Sequence, residues 1–226
     1  MKKQVLVIGL GRFGVSLANT LYSIGHDVLA IDKAEENVQA VASQITHAIQ
    51  ADATNETILK ELGVSNFDVA IVAIGSAIEN SVLSTILLKK LGVPYVIARA
   101  NNELHGSILD KIGADRVVYP EYEMGNRVAR GVTLSNISDY MPIASGYGVA
   151  KMIAPQHFVG QKLSEIGFGP KGKWEVAILL IQREKEVIVN PSQQEVIKPS
   201  DVLVIAGNDD KLEKLLTEAK KSEEER

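Results

Sequence analysis

Up to Tyr119 the chain alternates short apolar runs with longer amphipathic segments, and this alternation is the strongest constraint on its fold. The apolar runs, which predict strands, are Val5–Ile8, Asp27–Ile31, Thr46–Gln50, Val69–Ile74, Tyr95–Ala98 and Arg116–Tyr119. The segments between them, which predict helices, are Val15–Ile24, Glu35–Ser43, Asn55–Leu62, Asn80–Leu91 and Glu103–Ile112. Strands joined through helices run parallel in a sheet that is covered on both faces. The pattern therefore predicts an α/β fold with a Rossmann-type, doubly wound parallel sheet.

A glycine-rich segment, Gly9–Gly14, follows the first predicted strand and leads into the first predicted helix. Gly9 permits a tight turn, Gly11 lets the backbone approach a diphosphate, and Gly14 lets helix and strand pack closely. The helix N-terminus then presents unpaired N–H groups and the positive end of its dipole to phosphates. Asp32, after the second strand, is placed to accept hydrogen bonds from ribose hydroxyls. The segment predicts an adenine-nucleotide site, and the alternative is a glycine-rich turn without a ligand.

Two cations accompany this segment. Arg12 stands within the glycine loop beside Phe13, which is also a candidate contact. A guanidinium is a planar, multi-donor cation suited to phosphate oxygens, so Arg12 favours a ligand with more terminal phosphate charge than NAD. The alternative is a surface arginine paired with a carboxylate. Asp32 would repel the 2′-phosphate of NADP, and the adjacent Lys33 weakens that repulsion.

The ends of three further strands supply the other candidate site residues, which are Asp52, Ala53 and Thr54, then Ala73, Ile74 and Gly75, and finally Arg99. The turn after the third strand lies beside the adenine in this fold, so Asp52 and Thr54 are predicted to contact the base. As an alternative or in addition, either residue caps the next helix. Small residues after the fourth strand leave room for a ligand where the strand order reverses. Arg99 is placed to face the phosphates, or else forms a structural ion pair.

After Tyr119 the pattern changes and predicts a second, smaller unit. A proline at position 120 and acids in the following turn indicate a helix that reaches Leu134. Residues 136–148 contain proline and glycines and are predicted to form a loop. Further elements are predicted at Trp174–Gln182 and Glu186–Val189 as a hairpin, at Asp201–Ala206 as a strand and at Asp210–Ala219 as a helix. The chain is therefore divided into a nucleotide-binding domain at 1–135, with a helix near 121–134, and a small α+β subdomain at 136–226.

Composition argues against several other functions. The chain has no cysteine, which excludes a disulfide scaffold and a thiolate metal site. Its net charge is −4 with no basic stripe, so no nucleic-acid partner is expected. No apolar stretch approaches the ~20 residues of a membrane span and no signal-peptide pattern precedes the first strand, so a cytoplasmic location is expected. The four histidines lie in no recognisable catalytic constellation, which disfavours an enzyme.

The sequence resembles the regulator-of-potassium-conductance (RCK, or KTN) family over nearly its whole length, and is most similar to cytosolic regulatory subunits of Ktr/Trk-type potassium uptake systems. In the first domain the likeness lies in Val7–Gly14, Val28–Asp32, Ala51–Thr54, Val69–Gly75 and Ile112–Glu121. In the second domain it lies in Gly160–Ile166, Asn190–Pro191, Val196–Ile197 and Asp201–Gly207. Ile112–Glu121 is more specific than the glycine loop, because generic dehydrogenases do not carry it. Ser200 stands where the family often has glycine, which is a change in a turn.

The resemblance implies a mechanism. Such proteins form dimers and then a ring of eight subunits, which docks on the cytosolic face of a membrane potassium channel or transporter. ATP and ADP favour different ring shapes, and the ring conveys its shape to the pore. On this resemblance Arg12 would contact terminal phosphates, including those of a nucleotide in the neighbouring subunit. Glu121 would help to hold a divalent cation, Mg²⁺ or Ca²⁺, near the phosphates.

Several alternatives stay open at this point. The helix near 121–134 would cross between subunits on the resemblance, or would pack on its own domain. In related Gram-positive regulators the C-terminal subdomain binds cyclic di-AMP, and no residue here identifies such a site. The competing function is an NAD(H)-binding redox sensor or small oxidoreductase, and a third is a nucleotide-binding domain from a potassium efflux system. Arg12 and Glu121 favour the regulatory subunit over the redox protein.

Overall fold

A computed structural model describes residues 1–133, 137–169 and 172–224. The chain divides into two compact units, Met1–Tyr122 and Glu123–Arg226. The predicted domain boundary between residues 135 and 136 lies outside the described residues, so the division at that point stays a prediction. No helix among the described residues is long and apolar enough to cross a membrane.

The first unit contains a six-stranded parallel sheet, which confirms the predicted Rossmann-type fold. Its strands are β1 (Gln4–Ile8), β2 (Asp27–Asp32), β3 (His47–Gln50), β4 (Val69–Val72), β5 (Val96–Arg99) and β6 (Arg116–Val118). Their order across the sheet is β3-β2-β1-β4-β5-β6, and every neighbouring pair is parallel. The chain thus builds one half of the sheet outward from β1, then returns to β4 on the other side of β1. This reversal opens a crevice at the carboxyl ends of β1 and β4.

Helices cover both faces of this sheet. They are α1 (Arg12–Ser23), α2 (Glu35–Val41), α3 (Glu56–Glu61), α4 (Ile78–Lys90) and α5 (Glu103–Lys111), and α6 (Pro120–Thr133) begins in this unit. Val5 and Val7 of β1 belong to one buried cluster, whereas Leu6 and Ile8 belong to another. Because alternate side chains of a strand point to opposite faces, both faces of β1 are buried. The continuous apolar runs in the sequence are explained by this double burial.

The first helix begins earlier than the sequence pattern predicts. The prediction placed its start at Val15, but the Val15 N–H already donates to the Gly11 carbonyl at 2.9 Å, and α1 starts at Arg12. Gly11 is the N-cap, with an extended backbone and no side chain to satisfy the helix N–H groups. The C-terminal stop was predicted correctly, because Gly25 follows the helix with φ of 95°, where glycine is favoured.

The second unit contains a five-stranded antiparallel sheet together with helices, as a small α+β subdomain. Its strands are β7 (Ile137–Ala144), β8 (Tyr147–Ile153), β9 (Ala177–Arg183), β10 (Glu186–Val189) and β11 (Val202–Asn208), and its further helices are α7 (Leu163–Ile166) and α8 (Asp209–Glu224). The order across the sheet is β10-β9-β11-β8-β7. The predicted hairpin is confirmed as β9 and β10. Met152, Leu203, Ile205 and Leu215 form part of the buried core.

The loop predicted at residues 136–148 is wrong, because β7 and the start of β8 occupy most of it. Only Ser145 and Gly146 form a turn. Pro142 is tolerated because β7 is an edge strand, and the register shifts between Pro142 and Ala144. Gly148 is the second residue of β8, and a Cβ there would lie 2.2 Å from the hydroxyl oxygen of Tyr140. This glycine therefore makes room for a packed tyrosine and does not mark a turn.

Helix α6 presents an exposed surface over the part whose side chains are described. Every side chain from Glu121 to Ala129 is exposed, including Met124 at 52% and Val128 at 56%. These two apolar side chains therefore do not pack on the chain's own core. The end of the predicted helix at Leu134 lies outside the described residues. Whether α6 crosses to another subunit stays a prediction.

Candidate functional site

The carboxyl ends of the parallel strands surround a cavity of about 720 Å³ within the first unit. That volume is typical of cavities that take cofactors. The cavity is lined by nearly all of the predicted site residues, which are Gly9, Gly11, Arg12, Phe13, Asp32, Lys33, Asp52, Ala53, Thr54, Ala73, Ile74, Gly75, Arg99 and Glu121. Gly14 is the exception. Residues from six separate segments of the sequence are thus brought to one place.

The three glycines of the loop differ in what surrounds them. Gly9 has φ of 95°, and a Cβ there would lie 3.2–3.3 Å from atoms of Ile74 and Ala73. A Cβ on Gly14 would lie 1.8 Å from the Gly9 carbonyl oxygen, so Gly14 allows α1 to pack against the loop and does not face the cavity. A Cβ on Gly11 would meet no other part of the described chain within 4 Å. The space over Gly11 is therefore open to a ligand.

The N-terminus of α1 at this open space is suited to an anion. It has no side-chain cap and no acidic residue in its first turn. Its backbone N–H groups therefore lack a partner from the usual capping side chains. Arg12 is exposed at the first position of the helix and lines the cavity. In the described part of the chain Arg12 has no ion-pair partner, so the alternative of a paired surface arginine is not observed.

Asp32 is held in place by backbone donors. Its two carboxylate oxygens accept hydrogen bonds from the N–H of Leu10 at 2.6 Å and of Ala34 at 2.8 Å. Each oxygen keeps a further lone pair, so the carboxylate can still accept hydrogen bonds from a ribose. The N–H of Gly9 also donates to the Ile31 carbonyl at 2.8 Å, which ties the glycine loop to the end of β2.

Asp52 and Thr54 form a compact turn at the cavity. One Asp52 oxygen accepts from the Thr54 N–H at 2.8 Å and from the Thr54 hydroxyl at 2.6 Å, and the other lies 3.0 Å from Lys33 Nζ. Burial by itself raises the pKa of Asp52, but the bonds from Thr54 and Lys33 outweigh it and hold the pKa below its ordinary value. The alternative that either residue caps the next helix is wrong, because Asn55 is the N-cap of α3 and accepts from the Thr57 and Ile58 N–H groups.

Arg99 reaches the cavity from the end of β5. Its side chain is 18% exposed, and one of its terminal nitrogens donates to Glu121. The guanidinium lies so close to Gly75 that a Cβ there would be 2.1 Å from Arg99 Nη1. The ion pair considered for Arg99 is thus observed, and the same arginine also lines the cavity. Its Nε is buried without an acceptor among the described residues.

Four polar residues that the sequence did not single out also line the cavity, namely Asn37, Ser76, Asn80 and Ser84. Asn80 and Ser84 are one turn apart on α4 and therefore share a helix face. The sequence did contain one signal for this polar helix face. Small polar residues stand at positions 81, 84 and 85, on one face of the helix, where a helix that packs on a sheet usually carries apolar side chains.

Glu121 lines the cavity beside Arg99, with which it forms an ion pair. No group of three or more acidic or histidine side chains among the described residues is arranged to hold a metal ion. A divalent cation there would take one ligand from Glu121 and most of the others from ligand phosphates and water, which is a common arrangement for Mg²⁺. The residues present fit such a cation only together with a phosphate-bearing ligand.

The parallel sheet, the open glycine loop and the polar cavity define a Rossmann-type ligand-binding domain that is followed by a small α+β unit. Comparison with known proteins agrees with this class. The TrkA-N domain family matches residues 5–120, and the TrkA-C domain family matches residues 151–220.

Relatives cover nearly the whole chain. The Ktr system potassium uptake protein C of Bacillus subtilis (strain 168) is 40% identical over 208 residues, which are 92% of this chain and 93% of that protein. The Ktr system potassium uptake protein A of the same organism is 39% identical over 206 residues, 91% and 92% of the two chains. The chain therefore belongs to the RCK family, among the Ktr- and Trk-type potassium uptake proteins, which confirms the resemblance read from the sequence.

A solved structure shows the same fold. The GsuK channel bound to NAD superimposes with a TM-score of 0.64 at 17% identity, over 96% of this chain. The matched region is 40% of that longer chain.

Proposed function

We propose that this chain is a nucleotide-sensing regulatory subunit of a potassium uptake system, which binds ATP or ADP in the cavity of its first unit. The proposal is supported by family membership together with one feature of the cavity. That feature is the open N-terminus of α1, where Arg12 stands without a carboxylate partner in the described part of the chain. An unneutralised guanidinium beside unpaired helix N–H groups favours a highly charged phosphate chain.

The charges along the cavity suit a nucleotide with its phosphates at one end. Asp32, Asp52 and Lys33 lie at the ends of β2 and β3, where the fold places ribose and base. Arg12 and Arg99 lie at α1 and at the end of β5. We assign the first group to the nucleoside and the two arginines to the phosphates.

A divalent cation completes the proposed site. Without a cation, Glu121 would repel the phosphates of a bound nucleotide. Mg²⁺ or Ca²⁺ between Glu121 and the phosphates would convert that repulsion into attraction. The cation supplies charge neutralisation at the phosphates, and Glu121 supplies one of its oxygens.

The proposed regulation acts through assembly. The chain forms dimers and a ring of eight, bound to the cytosolic face of a membrane potassium channel or transporter. ATP and ADP shift the ring between shapes because they bind those shapes with different affinity. Helix α6, with Met124 and Val128 exposed, is the proposed crossover between subunits. Cyclic di-AMP stays a further proposed ligand of the second unit, without assigned residues.

The second candidate is an NAD(H)-binding redox sensor or small oxidoreductase. This candidate is supported by the fold that the chain shares with the GsuK channel, whose structure contains bound NAD. Against an enzyme, none of the described residues that line the cavity is a histidine, so the commonest proton-transfer group is missing there. We therefore propose a sensor without catalytic activity.

Potassium uptake in cells tests the proposed function. The gene for this chain is deleted in a strain whose other potassium uptake systems have been removed, and initial uptake is measured at low external potassium. Deletion is expected to slow uptake, the wild-type gene to restore it, and Arg12→Ala to restore it only in part. Arg116→Ala, which changes an exposed arginine outside the cavity, is expected to restore it fully. Unchanged uptake after deletion would contradict the proposal.

A further inference from the structure

Two buried hydrogen-bond donors that line the cavity have no acceptor within the described part of the chain. The Ser84 side chain is completely buried, and its Oγ has no hydrogen-bond partner. Arg99 Nε is likewise buried without a partner. Ser84 comes from α4 and Arg99 from β5, so the two reach the same cavity from separate elements.

A buried hydroxyl without a hydrogen-bond partner is energetically unfavourable. In a helix such a hydroxyl can bond to a backbone carbonyl, but that of Ser84 does not. A serine or threonine in a helix commonly donates to the carbonyl one turn earlier. Thr85 does so, because its hydroxyl donates to the Ser81 carbonyl at 2.8 Å. The Ser84 hydroxyl makes no such bond and lines the cavity instead. Groups left unsatisfied in this way call for an external partner.

The donors define the chemistry of that partner. A hydroxyl and a guanidinium N–H both donate, and the side-chain amide of Asn80, one turn before Ser84, adds donors on the same helix face. The partner must therefore present acceptor oxygens, and the charge of Arg99 favours anionic ones.

We propose that Ser84, together with Arg99, forms a subsite for a phosphoryl oxygen beyond the α-phosphate of the bound nucleotide. This inference rests on the proposed function, because it names the part of the cavity that reads the length of the phosphate chain. The glycine loop holds the phosphate nearest the nucleoside, and the α4 side of the cavity receives the next one. Nucleotide binding would then satisfy both orphaned donors.

Helix α4 offers a matched control. Ser81 is also completely buried and its hydroxyl has no partner among the described residues, but it does not line the cavity. Replacing either serine with alanine removes an unsatisfied buried hydroxyl and creates almost no cavity. Both variants are therefore expected to be at least as stable as the wild type without ligand.

The test is calorimetric titration of the full-length protein with AMP, ADP and ATP, with thermal unfolding of the ligand-free variants alongside. Ser84→Ala is expected to weaken ADP and ATP binding about ten-fold, the effect of losing one hydrogen bond to a charged group, and to leave AMP binding unchanged. Ser81→Ala is expected to change none of the three affinities. Ser84→Cys, which keeps the side-chain size with a weaker donor, is expected to weaken ADP and ATP binding in the same direction.

Other results would overturn the subsite. Equal weakening of AMP, ADP and ATP would mean that Ser84 supports the nucleoside end or the fold. Unchanged ADP and ATP binding would mean that a group other than a nucleotide phosphate, such as a water molecule, satisfies Ser84. In both cases the wild-type protein still binds nucleotides and the proposed function stands. If the wild-type protein binds no nucleotide, the proposed function fails and the subsite fails with it.

Discussion

Arg99, at the end of β5, is paired with Glu121, the second residue of α6. The arginine side chain is 18% exposed and the glutamate side chain 65% exposed, so the arginine is the fixed partner. Both residues line the cavity. A phosphoryl group that binds Arg99 would therefore compete with Glu121 for the same guanidinium. The pair links occupation of the cavity to the start of the helix that leads into the second unit.

Replacing Glu121 tests this competition. We expect Glu121→Gln to strengthen ATP and ADP binding about two- to five-fold without divalent cations, because a repelling and competing carboxylate is removed. The same variant should lose the enhancement that Mg²⁺ gives the wild type. Calorimetry with and without Mg²⁺ measures both effects. Glu123→Gln, an exposed acid of the same helix outside the cavity, is the control, and a full Mg²⁺ response in Glu121→Gln would refute the role of Glu121.

Arg12 is expected to distinguish ATP from ADP. Arg12→Ala removes an exposed cation from the open end of α1 and should weaken ATP binding about ten-fold, with a smaller loss for ADP. The measurement is a comparison of dissociation constants for the two nucleotides. Arg116→Ala serves as the control. Equal losses for ATP and ADP would show that Arg12 does not contact the terminal phosphate.

Alanine substitutions at two glycines of the loop should affect different properties, namely stability at one position and nucleotide binding at the other. Gly14→Ala places a Cβ against the Gly9 carbonyl oxygen, so it should lower the free energy of unfolding by about 2–3 kcal/mol. Gly11→Ala meets open space and should leave stability unchanged, but its Cβ would occupy the approach of the phosphates and weaken nucleotide binding. Thermal unfolding and nucleotide titration separate the two effects. Stable Gly14→Ala protein, or full affinity in Gly11→Ala, would contradict these assignments.

The second unit contains a buried ion pair between Asp201 and Arg183. Asp201 is completely buried, and its two oxygens accept from Arg183 at 2.9 Å each. Burial raises the pKa of Asp201, but the bonds from Arg183 and from the Lys198 N–H outweigh it and hold the pKa below its ordinary value. Because the folded pKa is below the unfolded one, the carboxylate stabilises the fold at neutral pH. That contribution declines as the pH falls below about 4.

Asp201→Asn should therefore destabilise the protein by about 3 kcal/mol at pH 7, since it leaves Arg183 partly buried with one fewer partner. The difference from the wild type should shrink at acidic pH. Denaturant unfolding between pH 7 and pH 3 measures both quantities. Glu186→Gln, at an exposed acid on β10, should behave like the wild type. A difference from the wild type that is independent of pH would argue against the titration of Asp201.

The parts of the site that were predicted from sequence are those encoded locally. Gly9, Gly11 and Asp32 lie at the ends of adjacent strands, and the βαβ pattern alone places them together. The Arg99–Glu121 pair joins residues 22 positions apart, and the sequence only indicated that each faced phosphates or a cation. Ser84 was missed because the small polar residues at positions 81, 84 and 85 mark an unusual helix face but do not indicate which of them meets a ligand.

The first unit was easier to predict than the second for a physical reason. Its parallel strands are buried on both faces, and helix-stopping glycines such as Gly25 and Gly92 punctuate the pattern. In the second unit Pro142 and Gly148 suggested a loop, although an edge strand accepts the proline and the Tyr140 ring requires the glycine. Long-range packing of this kind leaves no periodic signal in the sequence.

The most direct test of the central claim is a titration of the purified full-length chain with ATP, ADP and NADH, each with and without Mg²⁺. We predict that ATP and ADP bind, that Mg²⁺ strengthens ATP binding, and that NADH binds more weakly than either. Tight NADH binding, with no preference for ATP and no response to Mg²⁺, would contradict this prediction and would favour the redox sensor.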